Sequence, residues 1–114
     1  MARYILVAHT EPVEGREAEF HDWTDNVHIP QIAALDGVDA CVTQRFRMID
    51  RPAPFRETRR YLTIYDVETN DIERVADAVD AAIAGKAFTL SDAFDGTSSS
   101  SSFFEVFTDR IAQR

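Results

Sequence analysis

The chain has 114 residues, 45% of them hydrophobic, which fits one globular domain with a core of its own. Its formal net charge of −8, from 20 acidic and 12 basic residues, disfavours nucleic acids and acidic membrane surfaces as partners. Cys41 is the single cysteine, which excludes an intramolecular disulfide, and no segment approaches the roughly 20 apolar residues of a membrane span.

The first predicted element is a β-strand at the N-terminus. Residues Arg3 to His9 form a β-rich run that ends shortly before Pro12. The apolar run is interrupted at His9 and lacks the small-residue cleavage site of a signal peptide. A cytoplasmic protein is therefore expected.

A helical period follows from Arg16 to about His28. At about 100° per residue, Phe20, Trp23 and Val27 fall on one narrow apolar stripe, so Trp23 is predicted to be buried. Pro30 disfavours α geometry at the residue before it, and the helix is expected to break or kink there.

Two long strands are predicted in the middle of the chain, after a stop at Asp36-Gly37. Val38 to Met48 alternates between an apolar and a polar face, and Tyr61 to Val67 is the next strand. The helices are expected to cover the apolar face. This leaves a free face of mixed polar and aromatic character, formed by Cys41, Thr43, Arg45, Tyr61, Thr63 and Tyr65.

A second helix and a last strand complete the predicted elements. Asn70 is a suitable N-cap, Gly85 is a suitable C-cap, and the residues between them carry an apolar stripe of helical period. Phe88 to Phe94 is predicted to form a short helical turn. The run Ser98 to Ser102 is flexible on composition, and Phe103 to Thr108 is the last strand.

The order strand, helix, strand, strand, helix, strand predicts a single α+β domain over residues 1–114. It is the ferredoxin-like βαββαβ arrangement, a four-stranded antiparallel sheet with two helices on one face. The mixed free face is too apolar for water and too polar for a dry core. Packing two such faces together gives a homodimeric barrel whose interior suits a small-molecule ligand.

Three polar residues of the first helix form a candidate catalytic cluster. His21, Asp25 and His28 are spaced i, i+4, i+7, so they share a second stripe on the helix. Asp25 could fix the tautomer of an imidazole and raise its basicity, as beside a general base. A solvated polar flank explains the same spacing. The spacing is not that of an HExxH site, and no metal is expected.

A second candidate cluster lies on the predicted free face of the sheet. Tyr61 and Tyr65 are two strand steps apart and could orient a phenol, ketone or carboxylate, while Arg45 could pair with an anion. His9, at the end of the first strand, could point into the same cavity. Alternatively, the tyrosines pack at a dimer interface with their hydroxyls in water.

The stretch from residue 15 to residue 30 resembles the EthD-like branch of the dimeric α/β-barrel superfamily. The first helix of that group commonly carries an aromatic residue, an Asp and a His followed by Pro, matched here by Trp23, Asp25, His28 and Pro30. The third strand, Tyr-Leu-Thr-Ile-Tyr-Asp at 61–66, is also similar to that group. The resemblance implies a dimeric barrel, and a His28 that is catalytic or contacts the ligand. Characterised relatives include polyketide cyclases, muconolactone isomerases, cofactor-free monooxygenases and haem-degrading enzymes.

The leading hypothesis is an enzyme without a cofactor that acts by proton transfer on a small cyclic or aromatic carbonyl compound. His28 would be the base, Asp25 would orient it, and Arg45 or a tyrosine would stabilise an enolate. This covers isomerases, cyclases and lyases. One alternative is a non-catalytic small-ligand-binding or accessory protein, and another is a monooxygenase that uses oxygen or haem.

Overall fold

The computed structural model describes residues 2–35, 38, 41–51 and 57–112. Within these ranges the strands make one antiparallel sheet of order β2-β3-β1-β4, which confirms the predicted ferredoxin-like fold. The predicted stop at Asp36-Gly37 and residues 39–40 of the predicted second strand lie outside the described residues. The elements are β1 (Ala2–Thr10), α1 (Glu17–Trp23), a π-helical turn (Thr24–His28), α2 (Ile29–Ala33), β2 (Cys41–Arg47), β3 (Tyr61–Thr69), α3 (Ile72–Ala84) and β4 (Ser100–Glu105).

The helices cover the polar and aromatic face of the sheet, so the predicted assignment of its two faces was wrong. Tyr65 is buried in a cluster with Leu6 of β1 and Ile32 of α2. Tyr61 is buried against Phe20 of α1, with ring centroids 5.7 Å apart. Alternation shows which side chains share a face, but it carries no information on which face the helices will cover.

The opposite side of the sheet, which we call the open face, carries large apolar side chains among the polar residues His9, Gln44 and Asp66. No helix within the described ranges covers it, and Val42, Phe46 and Phe104 are 71%, 40% and 52% exposed. The strand pairings place four further, partly buried aliphatic residues on the same side. Ile5 lies opposite Phe104, Val7 lies opposite Ile64, and Leu62 lies opposite Phe46.

The first helix does not end at Pro30, because a π-helical turn precedes the proline. The Ile29 amide donates to the Thr24 carbonyl five residues back, and Pro30 lies in the first turn of α2. The wider turn relieves the clash between a proline ring and the carbonyl four residues earlier. A π-turn takes one residue more per turn than an α-helix, so Trp23 and His28, five residues apart, stack with centroids 4.7 Å apart.

The C-terminal half differs from prediction in three places. The N-cap of α3 is Asp71, whose carboxylate accepts from the Arg74 amide, rather than Asn70. Residues 88–94 form turns and no helix. Strand β4 starts inside the serine run, because its pairing with β1 sets the register and overrides the low β-propensity of serine. Gly85 is the C-cap of α3 as predicted.

Candidate functional site

A cavity of about 450 Å³ lies between the helix-covered face of the sheet and the helices. Its walls are mainly aliphatic and aromatic, from β1, α2, α3 and the segment of residues 88–94. Such an apolar cavity with a few polar groups is typical of a small-molecule site. The polar side chains that line it are Thr10, His28, Tyr65, Lys86 and Ser99 to Ser101.

His28 lines this cavity from the end of the π-helical turn. Its ring stacks on Trp23 and meets the Phe88 ring edge-on, at a centroid distance of 5.3 Å. Its Nδ1 is buried and has no hydrogen-bond partner. Burial among these rings lowers the pKa of His28 to about 4, because the charged imidazolium loses its hydration there. The imidazole is therefore neutral at physiological pH.

Two hydroxyl-bearing residues of the sheet, Thr10 and Tyr65, line the same cavity. Tyr65 of β3 is buried, and burial raises the pKa of its phenol, so the hydroxyl stays protonated and can donate a hydrogen bond. The Oγ1 of Thr10, at the end of β1, is buried without a hydrogen-bond partner. A buried polar atom without a partner costs free energy, and a bound polar ligand would recover part of it.

The serine run forms part of the cavity wall. Arg59 holds it in place, because its Nη1 donates to the Ser98 carbonyl at 3.2 Å and to Ser100 Oγ at 2.6 Å. The guanidinium is itself fixed by both carboxylate oxygens of Glu57. The expectation of a flexible run is therefore replaced by a segment that is anchored and partly in β4.

His21, Asp25, Arg45 and Tyr61 line a separate crevice of about 290 Å³. Arg45 donates to Asp25 Oδ1 at 3.1 Å, and its Nη2 lies 2.9 Å from Nδ1 of His21. Because a guanidinium only donates, His21 Nδ1 accepts and its hydrogen is on Nε2. Burial, and then the Arg45 charge, lower the pKa of His21. The Arg45 guanidinium also lies over the Phe20 ring at 5.5 Å, so this cluster ties the edge strand β2 to α1.

The structure therefore divides the predicted site residues between two places. His28 and Tyr65 meet in the larger cavity, whereas His21, Asp25, Arg45 and Tyr61 meet in the crevice. The predicted pairing of Asp25 with His28 is not formed: Asp25 binds Arg45, and Nδ1 of His28 has no partner. The π-helical turn is the cause, since it rotates His28 away from the stripe of His21 and Asp25.

His9 and Trp23 also have defined places. His9 lies opposite Leu62 on the open face and lines neither cavity. Trp23 is buried, as its stripe predicted, and its Nε1 donates to the Thr89 carbonyl at 2.6 Å. Within the described ranges no three His, Cys, Asp or Glu side chains lie close enough together to hold a metal ion. None of the helices described is long and apolar enough to cross a membrane.

Sequence reasoning missed Thr10, Lys86 and the serines as lining residues. Thr10 shares a face with Leu6 and Tyr65, so a correct assignment of the helix-covered face would have found it. The signal for Lys86 was its place directly after the C-cap of α3, where the chain turns back towards the sheet. The serine run carried no local signal, since composition alone indicated flexibility.

Comparison with known proteins supports the fold. No family model matches the chain, and no curated protein is significantly similar to it. A solved structure described as a putative monooxygenase, from Shewanella loihica PV-4, has 16% identity and a TM-score of 0.56, covering 95% of this chain and 97% of that one. An EthD family protein from Bacillus halodurans C-125 has 19% identity and a TM-score of 0.56, covering 92% of this chain and 98% of that one. At these identities the likeness shows the fold, and it confirms the EthD-like resemblance at that level.

Proposed function

We propose that the chain is an enzyme that needs no cofactor and transfers a proton within a small cyclic or aromatic carbonyl compound bound in the larger cavity. The observation that carries this proposal is a neutral, partly buried imidazole, His28, on the wall of an apolar cavity that is also lined by Tyr65, whose hydroxyl is protonated. The reaction class is that of isomerases, cyclases or lyases.

In the proposed reaction, a C–H bond next to the carbonyl breaks and its proton moves to Nε2 of His28. With the ring hydrogen on Nδ1, Nε2 carries the lone pair that accepts the proton. The electron pair of the broken bond shifts onto the carbonyl oxygen and gives an enolate. Tyr65 donates a hydrogen bond to this oxygen, and the imidazolium then returns the proton to the same or another carbon.

The lowered pKa of His28 restricts the substrates that it can serve. An isolated imidazolium is poorly tolerated in this cavity, but here it forms together with an enolate, and the two charges attract strongly where water is scarce. A base of low pKa still needs an acidic C–H bond. We therefore propose substrates in which that carbon is flanked by a carbonyl and by a second activating group, such as an aromatic ring.

Exchange of deuterium into 2-tetralone tests the proposal, because this bicyclic ketone has a benzylic carbon next to its carbonyl. Proton NMR in deuterated buffer at neutral pH measures the rate. We expect the wild-type protein to accelerate exchange, and His28→Phe to lose roughly 100-fold or more of that acceleration. Tyr65→Phe should slow exchange through loss of the enolate hydrogen bond.

The matched control is His21→Gln, which removes an imidazole that lies in the crevice, outside the cavity. It should keep the wild-type exchange rate. Binding of 2-tetralone without any acceleration would favour the non-catalytic ligand-binding protein instead. Oxygen uptake, measured with an electrode on the same samples, tests the monooxygenase alternative suggested by the name of the Shewanella protein, since proton transfer consumes no oxygen.

The same proposal includes a homodimer, with the open face as the interface. The exposed Val42, Phe46 and Phe104 support it, because exposed large apolar side chains concentrated on one face of a sheet mark an interaction surface. The interface differs from the one expected from sequence, where the polar and aromatic face was the free one. In this arrangement each protomer keeps its own cavity on the far side of its sheet.

A further inference from the structure

Lys86 is the single lysine of the chain and the only charged side chain among the described residues that line the cavity, since His28 is neutral. None of the ion pairs within the described ranges involves it. Three serines, Ser99 to Ser101, line the same cavity. The cavity thus has an apolar body and, at its open rim, the solvent-exposed Lys86, which has no counter-ion among the described residues, with hydroxyls nearby.

The backbone at Lys86 is unfavourable for a lysine. The residue has φ of 56°, in the left-handed region, whereas Gly85 before it has φ of −82°. The left-handed position after a helix is ordinarily taken by glycine, because a Cβ is crowded there. Here the glycine comes one residue early and the strained position carries a charged side chain. Strain of this kind persists at functional sites, where the side chain itself is needed.

The negative charge of the whole chain bears on the role of this lysine. At a net charge of −8, the field of the protein repels small anions, so a cavity that admits an anion needs a local cation. A lysine at the C-terminal end of α3 also interacts favourably with the helix dipole, which is the purely structural explanation. That explanation accounts for the charge, and the bonds from the Lys86 and Ala87 amides to the Ile83 and Ala82 carbonyls account for the left-handed backbone; neither accounts for the position of the exposed side chain beside the cavity.

We infer that the natural substrate carries a carboxylate, which pairs with Lys86 while the ring system of the substrate fills the apolar body of the cavity. This rests on the proposed function and narrows its substrates from carbonyl compounds in general to cyclic or aromatic carbonyl acids. Lys86 supplies the charge, and the hydroxyls of Ser99 and Ser101 can donate to the second carboxylate oxygen.

Two probes of nearly equal shape separate charge from apolar contact: 2-naphthoate, which is anionic, and 2-acetylnaphthalene, which is neutral. Isothermal titration at low ionic strength gives both dissociation constants. We expect wild-type protein to bind 2-naphthoate about three- to tenfold more tightly than 2-acetylnaphthalene. Lys86→Gln should abolish this preference, and Lys86→Arg should retain it.

Lys86→Gly distinguishes the two explanations of the lysine. It relieves the left-handed strain, so the denaturation midpoint should rise or stay unchanged, while the preference for 2-naphthoate should disappear. If the lysine serves only the end of α3, Lys86→Gly and Lys86→Gln will leave the ratio of the two dissociation constants at its wild-type value, and the inference is then wrong.

The failure of this inference is distinct from the failure of the proposed reaction. In one outcome, the wild type exchanges deuterium into 2-tetralone, His28→Phe does not, and both naphthalene probes bind equally. The proposed proton transfer would then stand, and the inferred substrate carboxylate would be wrong. In the opposite outcome, 2-naphthoate binds more tightly because of Lys86, but the protein does not accelerate exchange into 2-tetralone. Recognition of an anion at the cavity would then stand, and the proposed proton transfer would be wrong. Absence of binding by both probes would overturn the carboxylate as well.

Discussion

The burial of His28 predicts a specific pH dependence of stability. Its pKa falls from 6.5 to about 4 on folding, so between these values the unfolded chain binds more protons than the folded chain. The free energy of unfolding therefore rises with pH in this window. The contribution of His28 is fully present above pH 6.5 and is lost as the pH falls towards 4. The loss amounts to about 2 kcal/mol at pH 5 and about 3 kcal/mol at pH 4.

His28→Phe isolates this contribution from the carboxylates that titrate in the same range. Phenylalanine keeps an aromatic ring against Trp23 and Phe88, removes the unpartnered Nδ1 and cannot take up a proton. Urea denaturation at a fixed protein concentration, at pH 8, 6, 5 and 4, gives the free energy of unfolding of both proteins. Between pH 8 and pH 5, the free energy of unfolding should fall by about 2 kcal/mol less in the variant than in the wild type.

His21→Gln is the control for this measurement. Burial lowers the pKa of His21 too, but that ring is less buried than His28, so this variant should remove a smaller part of the pH dependence. Parallel pH profiles for wild type and His28→Phe would refute the reasoning. They would mean that water reaches the imidazole in the folded protein, and the cavity could then not act as a low-dielectric site.

Two further predictions concern the core and the open face. Trp23→Ala should lower the free energy of unfolding by roughly 3–5 kcal/mol, because the indole is buried. The control Val13→Ala, at an exposed position, should change it little. The tryptophan emission of the wild type should be blue-shifted and resist quenching by iodide. Phe104→Glu should convert a dimer into a monomer in multi-angle light scattering, while Val13→Glu leaves the mass unchanged. Wild-type protein that scatters as a monomer would contradict the proposed interface.

The element order and the buried helix stripe could be predicted because both depend on local periodicity. The strands β1 and β3 and the helix α3 lie within a few residues of their predicted bounds, and Phe20 and Trp23 are buried as their spacing indicated. The start of β4 could not be predicted from local residues. It is fixed by a ladder in which Ser102 lies opposite Val7 and Phe103 opposite Leu6, contacts nearly a hundred residues apart in the chain.

The candidate site was predicted only in part, because its geometry depends on one non-α turn. Straight-helix spacing groups His28 with His21 and Asp25. The single extra residue of the π-helical turn instead places His28 against Trp23 and beside the cavity. A proline in a continuous apolar pattern was the available signal, since a helix that continues past it must relieve the clash of its ring.

The inversion of the two sheet faces connects the cavity with the proposed dimer. A sheet face that borders a cavity gives up close packing there, and Thr10 and Tyr65 accordingly stand on the cavity wall in place of aliphatic residues. In the proposed dimer, further apolar burial comes from the other face. That face carries Val42, Ile64 and Phe104, which no helix of the described chain covers. The alternation that puts polar side chains beside the cavity on one face thus leaves apolar side chains exposed on the other face. In the proposed dimer, a second copy of the chain buries them.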